Sequence, residues 1–211
     1  MSKKFFIFDL DGTLVDAYKA IQKSLNYTLK KLGYSSVPYQ EVKRKVGKGD
    51  EIFIKTFFPL KDFKKALKIY QTHHKKSVLR YVKLLPYTKR LLYLLKRKKK
   101  IVAIASNRPK SFTNLILKKL DIKKYIDLLV CADEINSLKP NPKILKIILK
   151  KFKAKNKETI YIGDMDIDLE AAKRANLEAI YVKGGSTSQD RVKRYKNKKI
   201  ASSLKEIIKY V

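Results

Sequence analysis

The chain of 211 residues suits one domain, or a core carrying a small insertion, and its 45% hydrophobic content is enough for a packed interior. Its single cysteine, Cys131, excludes an internal disulfide and fits a reducing compartment, and no apolar run approaches the roughly 20 residues that span a bilayer, so a cytoplasmic protein without a membrane partner is expected. The formal net charge of +32 rests on 43 Lys against 8 Arg spread along the chain; specific recognition of phosphates and bases favours the planar fork of Arg, so the charge predicts non-specific binding of polyanions and no specific nucleic-acid partner.

In chain order, residues 5–8 form a short apolar run that reads as a strand and ends in Asp9-Leu10-Asp11-Gly12-Thr13. The two acids interrupt the apolar stretch, which excludes a secretory signal. Residues 17–83 contain no clear β run. There, 17–32 is helical, with Ile21, Leu25, Leu29 and Leu32 on one face and Gly33 as its stop, and 50–58 and 61–80 are helical as well. Between them lies Gly47-Lys48-Gly49-Asp50, which reads either as a glycine loop that lets an anion approach a helix or as an ordinary helix–helix turn. Beyond residue 83 helices and strands alternate: helix 86–97, strand 101–105, helix 111–120 with Ser111 as its cap, strand 128–131, helix 142–152 behind Pro142, strand 159–162, helix 169–175, strand 179–182 and helix 203–210. Short apolar strands alternating with helices predict an α/β fold with a Rossmann-like parallel sheet covered by helices on both faces. Residues 1–16 and 84–211 are expected to form this core, and residues 17–83 an inserted all-α helical domain.

Polar groups gather where the strands end. Asp9 and Asp11 follow the first strand, Ser106-Asn107 the second, Asp164 and Asp168 the strand 159–162, and Lys139 precedes Pro140-Asn141-Pro142. In an open parallel sheet the carboxyl ends of the strands share one edge, and ligands bind in the crevice there. Several acids in one crevice repel one another unless a cation is present, and Mg²⁺ with its oxygen shell fits. Lys139 and Ser106 then offer charge and hydrogen bonds to a phosphoryl group. Each group also has a plain structural use: the acids as turn formers or helix caps, Ser106 as the start of a turn, Lys139 as one lysine among many. Those uses would all have to coincide in this order and at these strand ends.

The order Asp-x-Asp-Gly-Thr, Ser-Asn, Lys-Pro-x-Pro and Gly-Asp-x-x-x-Asp resembles the haloacid dehalogenase superfamily, over nearly the whole chain. Asp11 matches the phosphatase branch, and the insertion resembles that superfamily's small helical cap. Within the branch the chain is most similar to phosphoglycolate phosphatases and their relatives, through residues 9–16, Gly47-Lys48-Gly49, Leu85-Pro86-Tyr87, Ser106-Asn107-Arg108-Pro109 and Leu138-Lys139-Pro140. The resemblance implies that Asp9 attacks phosphorus and that Asp11 acts as acid and then base. It also implies that Asp9, Asp164 and the backbone carbonyl of Asp11 hold Mg²⁺, with Asp168 supporting them. Ser106 and Lys139 bind the phosphoryl oxygens, and backbone amides near Leu10 and Asn107 complete the cradle. Three positions depart from the pattern: Arg108 stands where Lys is frequent, Asn176 where Gly is usual, and Met165 where a small polar residue is commoner. The cap would choose the leaving group, through Gly47, Lys48, Gly49 and Arg108. A small phosphorylated metabolite is the expected substrate, with 2-phosphoglycolate first. Pyrophosphate, nucleotides, sugar phosphates, a sugar-phosphate mutase, a nucleic-acid end phosphatase and a non-catalytic binding protein are the alternatives. A monomer or homodimer is expected.

Overall fold

The structure is a computed structural model that describes residues 3–187, 189–195 and 198–211. Six strands form one parallel sheet: β1 (Phe5–Phe8), β4 (Ile101–Ser106), β5 (Leu128–Cys131), β6 (Thr159–Gly163), β7 (Glu178–Val182) and β8 (Lys198–Ala201), in the order β5-β4-β1-β6-β7-β8. β1 is central. Phe5 to Phe8 run in register with Ile101 to Ile104 on one side and with Thr159 to Ile162 on the other.

Successive side chains of a strand point to opposite faces, and here both faces are buried, which is why the strands read as continuous apolar runs. Phe6 and Phe8 join Val102, Ile104, Ile160 and Ile162 in one core, packed against Leu91, Leu92 and Leu95 of α5 (Thr88–Arg97) and Ile116 and Leu117 of α6 (Lys110–Lys119). Ile7, Ala103, Ala105 and Tyr161 face the other way. They meet Ile144, Leu145 and Ile148 of α8 (Lys143–Phe152) and Leu169, Ala171 and Ala172 of α9 (Asp166–Arg174).

Before α5, the chain that follows β1 runs through four helices: α1 (Tyr18–Lys31), α2 (Tyr39–Lys45), α3 (Asp50–Lys55) and α4 (Leu60–Tyr81). It leaves through β2 (Val15–Asp16) and returns through β3 (Lys83–Leu84), which pair antiparallel. The buried face of α1 carries Ile21, Leu25 and Leu29, as its spacing predicts.

Several elements differ from the sequence reading. The β2–β3 ribbon escapes notice because two residues carry no pattern, and β8 because Lys198 and Lys199 disguise an edge strand. α2 buries only Val42. The end of the chain, Leu204–Tyr210, is a 3₁₀ helix. Ser111 does not cap α6. The helix starts one residue earlier behind Pro109, and the Asp133 carboxylate, from the short helix α7 (Ala132–Ile135), accepts the Lys110 N–H at 3.1 Å.

Candidate active site

Asp9 emerges from β1 with its own N–H bonded to Ile162 O of β6 at 2.8 Å, so the sheet ladder fixes its position. Lys139, 3% exposed, approaches it from the loop before α8. Lys139 Nζ lies 2.7 Å from Asp9 Oδ1, 2.8 Å from Asp168 Oδ1, 3.0 Å from Ala105 O and 3.0 Å from the Tyr161 hydroxyl oxygen. Tyr161 in turn donates to Asp168 Oδ1 at 2.7 Å. Burial alone would lower the Lys139 pKa, but Asp168 and Asp9 outweigh it and keep the ammonium charged. Asp168 does two things at once. Its Oδ2 accepts the Met165 N–H at 3.0 Å, closing the first turn of α9, while its Oδ1 anchors Lys139.

Asp164 is fully buried. Its Oδ1 accepts from the Thr13 hydroxyl at 2.7 Å and its Oδ2 from the Tyr18 hydroxyl at 3.2 Å. This approach needs Gly12: its φ of +83° suits glycine, and a Cβ there would collide with the Asp164 carboxylate and lie 2.5 Å from the Tyr18 oxygen.

Asp9, Asp164 and Asp168 bring carboxylate oxygens within 4.8 Å of one another. Burial pushes the Asp9 pKa up to about 7, with Lys139 opposing and Asp168 adding. Burial, Asp9 and Asp168 raise Asp164 well above the carboxylate range. One lysine therefore leaves the acids short of positive charge, and an oxygen-only donor set fits a hard divalent cation. Both oxygens of Asp168 accept hydrogen bonds, from the Lys139 ammonium and the Met165 N–H, and both of Asp164 accept from neutral hydroxyls, those of Thr13 and Tyr18. The Asp11 carboxylate is turned elsewhere: Arg108 Nε donates to its Oδ2 at 2.7 Å.

Arg108 is 6% exposed and joins the core to the helical segment. Its Nη1 lies 2.7 Å from His74 Nε2 in α4. Arg can only donate, so Nε2 is the acceptor and His74 is neutral with its proton on Nδ1. That proton points to Ser24 Oγ at 2.9 Å, and Ser24 passes its own to Ala20 O in α1 at 2.9 Å. Burial, Arg108 and His73 together hold His74 far below its ordinary pKa, consistent with this tautomer. Burial would lower Arg108, but the Asp11 carboxylate outweighs it.

Ser106 is buried beside Asp9, and its Oγ accepts the Arg108 N–H at 3.1 Å. The Asn107 side chain ties two loops together. Its Nδ2 donates to Gly47 O at 2.8 Å and to Lys139 O at 3.2 Å, while its Oδ1 accepts from Lys139 N at 2.8 Å. Gly47 and Gly49 line the resulting cavity of about 50 Å³ together with Asp9, Asp11, Ser106, Arg108 and Lys139. Lys48 is exposed and does not line it, and Leu10 is a buried core residue. The glycine loop thus sits over the strand ends: Gly47 has φ +107°, and a Cβ there would lie 2.5 Å from Met165 Cε.

Sequence reasoning missed Thr13, Tyr18, Tyr161, His74, Ser24 and the orientation of Asp50. Tyr161 is the one polar side chain in the run Ile160-Tyr161-Ile162, and His74 is half of the chain's only histidine pair; both are weak signals.

Residues 6–182 match the sequence model of a family described as haloacid dehalogenase-like hydrolase. A protein of Aquifex aeolicus named phosphoglycolate phosphatase is 30% identical over 172 residues, covering 82% of this chain and 81% of its own length. One from Caldanaerobacter subterraneus, provisionally named pyrophosphatase PpaX, is 27% identical over 206 residues, covering 97% and 93%. The crystal structure of a predicted phosphoglycolate phosphatase from Haemophilus somnus superposes with a TM-score of 0.92 at 22% identity, covering 99% of this chain and 98% of that one, and so shares the fold.

Proposed function

The chain belongs to the haloacid dehalogenase-like hydrolase family and is a phosphatase, and from that premise we propose that it hydrolyses a small phosphomonoester in two steps, with Mg²⁺ and through an aspartyl-phosphate on Asp9. The observation that carries this reading is the ion pair of Asp9 with Lys139 on the floor of a small cavity that also contains Asp11 and Ser106. An Asp9 oxygen attacks phosphorus and the bond to the leaving oxygen breaks, while Asp11 delivers a proton to that oxygen. Water then attacks the phosphoryl group, Asp11 takes its proton, and the bond to Asp9 breaks to release phosphate. Lys139 and Ser106 hold phosphoryl oxygens, Lys139 offsetting charge on Asp9, and the backbone amides near Leu10 and Asn107 complete the cradle. Asp9, Asp164 and the Asp11 carbonyl would hold Mg²⁺, which lets an anionic nucleophile approach an anionic phosphate. Asp168 supports that arrangement by fixing Lys139. Residues 1–16 and 84–211 act as the catalytic core, and residues 17–83 as a cap that excludes water and selects the leaving group.

The leaving group is read as anionic and short, with 2-phosphoglycolate the first substrate. Arg108 supports this. It lines the cavity, and among the described residues Asp11 and His74 take two of its five N–H donors, which leaves three for a substrate carboxylate. The small cavity and the names of the relatives point the same way. Pyrophosphate is the second reading, favoured by the relative from Caldanaerobacter. The test is a Mg²⁺-supplemented panel of 2-phosphoglycolate, pyrophosphate, glucose phosphates, mononucleotides and a 3′-phosphorylated oligonucleotide. Within this panel, which holds no short phosphorylated hydroxy acid, the highest kcat/KM is expected for 2-phosphoglycolate, and a flat profile overturns that choice. Asp9→Asn is expected to cut turnover of every substrate by at least about 10³-fold, and full Mg²⁺-dependent activity in that variant overturns the mechanism.

A further inference from the structure

Two carboxylate oxygens at this cavity are buried without a hydrogen-bond partner among the described residues: Asp11 Oδ1 and Asp50 Oδ2. The first has a task in the proton transfers above. The second has none. Asp50 opens α3 at the end of the glycine loop; as a residue it is half-buried, yet its Oδ2 is sealed from solvent. Burial pushes its carboxyl up to about 6, with Arg108 pulling the other way and Asp11 adding to the rise. A buried acceptor left open is costly and is rarely retained without a use. Because it lines the same cavity as Asp9, a donor on the substrate can satisfy it.

We propose that Asp50 is a specificity-determining residue that accepts a hydrogen bond from a free hydroxyl on the leaving group, so that the site takes phosphorylated short hydroxy acids carrying one hydroxyl more than phosphoglycolate does. The acid part rests on the reading of Arg108 as a carboxylate partner. The two groups divide the work by charge. The N–H donors of Arg108 take the carboxylate, while Asp50 repels a second carboxylate and accepts from a hydroxyl. A site built to bond a substrate hydroxyl also discriminates strongly against the analogue that lacks it, because its own buried group is then left unpaired.

The test is steady-state kcat/KM with Mg²⁺ for two pairs of esters that differ in a free hydroxyl: 3-(phosphonooxy)propanoate with 3-phosphoglycerate, and ethyl phosphate with 2-hydroxyethyl phosphate. Each is measured in the wild type, Asp50→Ala and Asp50→Asn. The ratio of hydroxylated to unhydroxylated substrate is expected to fall roughly tenfold or more in Asp50→Ala, and by less in Asp50→Asn, which keeps one acceptor. Ratios that stay within about twofold of wild type, or losses shared equally by both members of a pair, overturn the proposal and make Asp50 structural. If Asp50→Ala does not fold, the Asp50→Asn ratio decides, and an unchanged value overturns the proposal. A wild type that ignores both carboxylate esters but cleaves 2-hydroxyethyl phosphate in an Asp50-dependent way upholds the hydroxyl acceptor and overturns the anionic leaving group.

Discussion

Asp9 is pulled two ways: Lys139 favours its charge, while burial, Asp168 and Asp11 oppose it. Between the ordinary carboxylate value of 3.8 and about 7, the folded metal-free protein holds a proton there that the unfolded chain has released. Its stability therefore falls as pH rises through that window. A divalent cation takes the proton's place, so the rise in Tm on adding Mg²⁺ is expected to be larger at about pH 8 than at about pH 5. Differential scanning fluorimetry of the wild type, Asp9→Asn and Asp164→Asn checks this; an equal shift at both pH values, or an undiminished shift in the variants, would remove the acids from the ion's site. Asp9, Asp11 and Asp164 were legible because they follow strands, Lys139 because it stands at the approach to a helix, and Asp168 because it lies in the first turn of another. Their supports were not. Tyr161 reaches Asp168 and Lys139 from within an apolar strand, and Arg108 meets His74 across 34 positions of sequence. Only the fold brings such pairs together, and neither residue type announces it.

Among the elements, strands of the parallel sheet were readable because both their faces are buried, whereas β8 and α2 are polar enough to pass for loop. The loop before α3, read as an anion's approach to a helix or as an ordinary helix–helix turn, packs against the core at Gly47. Gly47 presents its carbonyl to Asn107, and a methyl group there would push aside the flexible end of the Met165 side chain. Gly47→Ala meets both a disfavoured φ and that contact, a cost of about 1–3 kcal/mol, or several degrees in Tm. Because the same loop is tied through Asn107 to the backbone of Lys139, kcat/KM is expected to fall together with Tm. A variant with the lowered Tm and wild-type kcat/KM would separate the loop's seat from the chemistry.

For the whole molecule, the net charge of +32 lies outside the site's logic. It predicts binding to any polyanion, weakening by orders of magnitude between about 50 and 200 mM salt and indifferent to sequence. Fluorescence polarisation with two unrelated oligonucleotides measures both properties; a preference of more than about tenfold for one would contradict the expectation. Another property of the whole follows from the register of β1. Asp9 is located by backbone ladders on both flanks, and Asp164 and Ser106 sit at the ends of those same neighbouring strands. The spacing of the reacting groups is thus inherited from the main-chain lattice. Of the groups proposed to face the leaving group, Asp50 and the glycine loop belong to the intervening helical segment, while Arg108 follows β4. On the proposed roles, substitutions in that segment shift selectivity while the chemistry stays where the sheet puts it, a division that favours the evolution of many substrates from one scaffold.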